Sequence, residues 1–92
     1  MKVFWSFSAE QDRDRIINYI AKDNVDAAVL LDIKINDDVD LLSKFPYSGR
    51  IGRIKNSREL VVHENYILVY SINNNIILIN ALLHSAQQYP HL

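Results

Sequence analysis

Half of the ten lysines and arginines fall between Lys44 and Arg58, namely Lys44, Arg50, Arg53, Lys55 and Arg58, with no acid among them. A run of +5 on so short a segment either lines a solvated edge that discourages strand-to-strand aggregation or meets an acidic partner. Arg58 closes the run, and a guanidinium there can grip a phosphate or carboxylate with two parallel hydrogen bonds. The alternative is a structural ion pair with Glu59 or Glu64. His84 is a second residue able to do chemistry, since an imidazole can serve as acid or base near neutral pH. Without that role it is a strand-end histidine hydrogen-bonded to the backbone. His63, His84 and His91 lack metal-ligand spacing and have no cysteine beside them, so no metal site is expected. Gly49-Arg50-Ile51-Gly52 has the outline of a phosphate-clamping Gly-x-x-Gly, but the helices that motif needs do not flank it, and a plain turn accounts for it better. Trp5, between Phe4 and Phe7, belongs in a core or at a contact with a partner.

These residues sit on one small domain, residues 1–92, with a formal net charge of −1, no cysteine and 49% apolar positions. A disulfide framework, a thiol nucleophile and an iron–sulfur centre are thereby excluded. No apolar run approaches a membrane span or a signal peptide, and a cytoplasmic protein with no membrane contact and no cofactor is expected. The charge is unevenly spread. From Ser8 to Asp40 nine acids face four bases, a net −5, whereas Arg58 is the last lysine or arginine of the chain.

Val3–Phe7 is a strand candidate, rich in aromatic and β-branched residues. Ser8-Ala9-Glu10-Gln11 matches a capping box and predicts a helix through about Lys22, burying Ile16, Ile17 and Ile20. Asp23-Asn24 breaks that helix and caps a second one, with Val25, Ala28, Val29, Ile35, Val39 and Leu42 near helical spacing. The second helix ends before Phe45-Pro46. So short a break predicts an antiparallel helical hairpin. Pro46–Gly52 is predicted to be loop. Arg58–His63, Tyr66–Ile72 and Ile76–Leu83 follow as strands, separated by Glu64-Asn65 and Asn73-Asn74-Asn75, and together they form an antiparallel meander. The expected fold is α+β, an N-terminal strand and a helical hairpin packed on that meander. Because the last two strands are apolar on both faces, the face away from the helices needs cover beyond what the tail from Ser85 to Leu92 supplies, and a partner polypeptide on that face or along the sheet edges is expected.

The order and spacing of Phe45-Pro46-Tyr47-Ser48-Gly49-Arg50, Ser57–His63, Asn65–Tyr70 and Ala81–Pro90 resemble the RelE/ParE superfamily of type II toxin–antitoxin toxins, more closely its ParE branch. The resemblance covers nearly the whole chain. It implies a small bacterial toxin, neutralised by a cognate antitoxin whose C-terminal segment wraps it, in a complex of higher order. It also implies one of two targets. ParE-like members inhibit DNA gyrase, whereas RelE-like members cut mRNA on the ribosome, and a shared fold does not choose between them.

Metal-free RNA cleavage requires a proton acceptor for the 2′-hydroxyl, cations for the phosphate and an acid for the leaving oxygen. By resemblance Arg58 stands at the position of the arginine that opens the family's second strand and Tyr89 near the C-terminal tyrosine of nuclease members, while His84 offers an acid or base at the end of the last strand. Tyr89-Pro90 is at least as well suited to pin the tail against the sheet. The late arginine of those members is missing, for this chain offers Asn80 or Leu82 there. Ribosome binding also gains affinity with each phosphate contact, and five cations on a net-negative chain are few. Gyrase inhibition without intrinsic catalysis is therefore the preferred expectation, with Arg50, Arg53, Lys55, Arg58 and Trp5 as the residues meeting target or antitoxin. The mRNA endoribonuclease is the alternative.

Overall fold

The computed structural model describes residues 1–90. Its elements run β1 (Lys2–Trp5), α1 (Phe7–Asp23), α2 (Val25–Lys44), β2 (Arg50–Ile51), β3 (Arg58–His63), β4 (Tyr66–Asn73) and β5 (Ile76–His84). The five strands form one mixed sheet in the order β1-β5-β4-β3-β2. The predicted meander is its centre, and β1 adds to the far side of β5 in parallel, Val3 beside Ile77 and Trp5 beside Ile79. Two helices packed on one face of this sheet make the expected α+β fold. Among the described residues no helix is long and apolar enough to cross a membrane.

The first helix begins two residues earlier than the capping box predicts. Ser6, in extended conformation, is the cap, and its hydroxyl accepts from the Ala9 amide at 3.0 Å. Ser8 lies inside the first turn. Ser6 wins because the chain already leaves the sheet there, with the Ser6 amide donating to the Ile79 carbonyl at 2.9 Å. The strand accordingly stops at Trp5 and Phe7 opens the helix. Asn24 caps α2 as predicted, accepting from the Ala27 amide. A two-layer bolt then fixes the hairpin: the Arg13 guanidinium reaches Asp32 and Asn36 on α2 while lying 5.0 Å from the Trp5 ring.

Ala28, Leu31, Ile35 and Leu42 are the buried residues of α2, and Val25 and Val29 are exposed rather than buried. The helix is rotated so that Leu31, a larger side chain one turn after Ala28, takes the place against the sheet. With Leu68, Tyr70, Ile77, Ile79 and Leu82 these residues form the main core. The second face carries a smaller cluster of Val69, Ala81 and Leu83, against which Tyr89 packs. Strand β5 contains one extra residue relative to β4. Val69 pairs with Ala81 and Tyr70 with Ile79, leaving Asn80 unpaired, and the bulge reverses which side chains face the helices. The turn between β4 and β5 uses Asn74 and Asn75, both with positive φ, as a tight hairpin requires.

Candidate functional site

The basic run folds around two side chains from the sheet. Tyr70, fully buried on β4, donates its hydroxyl proton to the Pro46 carbonyl at 2.7 Å and accepts from the Gly49 amide at 3.0 Å. This holds the Pro46–Gly49 turn against the sheet end. Glycine is required at 49, since a Cβ there would stand 2.6 Å from the Tyr70 hydroxyl and 2.9 Å from the Glu59 carbonyl oxygen. Burial pushes the Tyr70 phenol above its ordinary range.

The predicted loop contains the short strand β2, which places Arg50 opposite Glu59 and Ile51 opposite Arg58. Glu59, 4% exposed, then gathers two of the five cations. It accepts from the Arg53 side chain at 2.9 Å, the Arg53 amide at 3.0 Å and Arg50 at 3.2 Å. Burial alone would raise the Glu59 carboxyl, and these donors more than reverse that, holding it below the usual carboxylate range. Arg50 and Arg53 are thus brought together on an internal acid.

Arg58 pairs with neither Glu59 nor Glu64. One of its terminal nitrogens donates to the Gly49 carbonyl at 2.8 Å, and its guanidinium lies 5.0 Å from the Tyr47 ring centre. The same guanidinium edges a depression of about 790 Å³ whose lining includes Tyr47, Ile51, Lys55, Ser57 and Asn80. Among the described residues no carboxylate and no histidine lines it. The side chains that converge there can bind an anion, but none is a carboxylate or imidazole able to relay a proton beside it.

The other singled-out residues lie elsewhere. Arg58 pairs opposite Tyr70, and Tyr70 opposite Ile79, whereas His84 ends β5 opposite Tyr66. Four residues of β4, about 13 Å, separate the two levels. His84 sits edge-on to the Tyr66 ring, accepts from the Ala86 amide at 3.1 Å through Nδ1, and is flanked across Tyr66 by His63. Tyr89 rests on the outer cluster, and Trp5 lies between Arg13 and the helix–sheet core. His91 is outside the described residues. Glu59 and Tyr70 organise this end of the sheet, and both escape sequence reasoning. Their only signal is a carboxylate and a phenol in otherwise apolar strands.

The family model for the ParE toxin of the type II toxin–antitoxin system parDE matches residues 3–89. Y4kP of Sinorhizobium fredii is 38% identical over 99% of this chain and 95% of its own length. Toxin RelE2 of Caulobacter vibrioides is 28% identical over 94% of this chain and 97% of its own. The fold is similar to that of a chain in the chromosomal ParDE TA system from P. aeruginosa, with a TM-score of 0.80 at 18% identity, covering 91% of this chain and 95% of that one.

Proposed function

The chain belongs to the ParE toxin family of type II toxin–antitoxin systems, and on that premise we propose that it inhibits DNA gyrase by binding and is silenced by a cognate antitoxin. One observation carries the choice of binding over cleavage. Arg58 and His84, which a nuclease would need on one phosphate, lie at different levels of the sheet, and among the described residues no carboxylate or imidazole lines the depression beside Arg58. A general acid and base must come within hydrogen-bond reach of the reacting atoms. The cationic groups that do converge, Arg58 and Lys55, suit attachment to an acidic surface.

The test is a supercoiling assay with purified gyrase and the purified chain, run in parallel with primer extension on mRNA in a translation extract. Inhibited supercoiling with no new mRNA 5′ ends is the expected result, and His84→Ala is expected to inhibit as well as the parent. Unaffected supercoiling would refute the proposal. New 5′ ends abolished by His84→Ala would establish the endoribonuclease instead.

A further inference from the structure

We infer that Glu59 determines what the basic run can bind: it withholds Arg50 and Arg53 from phosphate, which keeps the segment off nucleic acid, and leaves Arg58 and Lys55 for a protein partner. The gripping edge of Arg53 is already occupied. Its Nε and one terminal nitrogen donate to the two oxygens of Glu59, at 2.9 and 3.2 Å. With that same edge an arginine takes hold of a phosphate. The Arg53 amide donates to the carboxylate as well, at 3.0 Å, and Arg50 adds a fourth bond at 3.2 Å. Among the described residues Glu59 is the only acid in an ion pair with any cation of the run, and Lys55 and Arg58 make none.

Stability alone does not account for an acid at this place. Glu59 is buried in a strand that continues with apolar Leu60, Val61 and Val62, and a buried ion pair gains little over well-packed apolar side chains. What the acid changes is the field. Without it the two arginines would add two charges beside Lys55 and Arg58, and with it they add one. Nucleic acid is the ligand most sensitive to that difference, because its affinity grows with every cation that displaces a counterion from a closely spaced row of phosphates. A protein surface is matched by a few fixed pairs instead. A carboxylate held between the two arginines also repels each phosphate that approaches them. The inference rests on the reading of the run as a protein-binding surface, and its test contains no gyrase, so the two fail separately.

The test measures binding of the full chain to a fluorescent thymidine oligonucleotide of about twelve nucleotides by anisotropy, from about 50 to 200 mM salt. Glu59→Gln keeps the shape of the side chain and removes its charge. It is expected to bind roughly fivefold tighter at about 0.1 M salt and to steepen the plot of log affinity against log salt by about 0.7, the value of one further contact to a single strand. Glu64→Gln makes the same change in net charge at an exposed acid just past the far end of β3. It is expected to alter affinity by less than about twofold, since at that salt fields fade over about 10 Å. Adding Arg50→Gln and Arg53→Gln to Glu59→Gln is expected to remove the gain, and unchanged far-ultraviolet dichroism confirms folding of each variant. The parent supplies a reading that needs no variant, a salt slope no steeper than about −2.8, or four contacts at about 0.7 each. A parent slope near about −3.5, with all five cations on phosphates, would overturn the proposal. So would an equal gain from Glu64→Gln, a gain that survives loss of both arginines, or no gain from folded Glu59→Gln.

Discussion

Tyr70→Phe removes one oxygen atom from the protein and tests whether the basic turn is held from the sheet. The ring keeps its packing against the core, so the change isolates two hydrogen bonds, from the hydroxyl to the Pro46 carbonyl and from the Gly49 amide to the hydroxyl. Gly49 is buried and its amide has no route to water without movement of the turn. Pro46 is only partly buried, and its carbonyl can recruit a solvent molecule. An unsatisfied buried group costs about 1–3 kcal/mol, so the sum is about 2–3 kcal/mol, most of it at Gly49. Urea unfolding measures this as a fall in midpoint at constant slope. A second readout separates the hydroxyl from mere packing. The folded-state phenol titrates above its unfolded range, so its stability contribution is complete below the ordinary tyrosine pKa of about 10 and is lost as pH rises through the folded value. The parent chain should therefore show an alkaline loss of stability that Tyr70→Phe lacks. A change under about 0.5 kcal/mol, with parallel alkaline curves, would refute the claim that this hydroxyl anchors the turn.

At neutral pH Glu59→Gln should destabilise by about 1 kcal/mol, because Arg50 and Arg53 lose a counter-charge while remaining partly solvated. The folded Glu59 carboxyl is depressed, so the parent loses stability as pH falls from the ordinary carboxylate range through the folded value. Denaturant midpoints between pH 7 and pH 3 should converge for parent and variant. Ser6→Ala should cost about 1 kcal/mol as a lost helix cap and Ser8→Ala only a few tenths, a contrast that thermal or urea unfolding of the two variants checks. Asp12 accepts from the Leu82 amide at 3.1 Å; Asp12→Ala should speed hydrogen exchange at that amide selectively, by roughly five- to tenfold for about 1 kcal/mol of lost protection.

Much of the fold was legible because it is locally encoded. Asn24 breaks and caps the helices within four residues, and the asparagines at 73–75 permit the positive φ of the last turn. What was not legible depends on partners distant in sequence. Two serines two residues apart can each cap α1, and only the bond from Ser6 to Ile79 decides between them. The rotation of α2 that exposes Val29 and buries Leu31 is set by the sheet beneath it. β2 is two residues long, too short for any periodicity, and yet its register with β3 puts Arg50 on Glu59. Composition places five cations near one another, but it does not reveal that a buried acid already holds two of them.

The unpaired Asn80 makes strand β5 a switch of phase. Upstream of it odd-numbered residues face the helices, and downstream even-numbered ones do. Its carbonyl also receives the Ser6 hydroxyl, where β1 gives way to α1, and its side-chain amide donates to Ser71 across the sheet. Deleting Asn80 would set Ala81 directly after Ile79 and restore plain alternation, with Ile79 and Leu82 still toward the helices and Ala81 and Leu83 still away from them. Both cores would keep their residues, and only the contacts of Asn80 with Ser6 and Ser71 would be lost. The extra residue therefore serves the junction of β1 with α1 through Ser6, and the two cores do not depend on it.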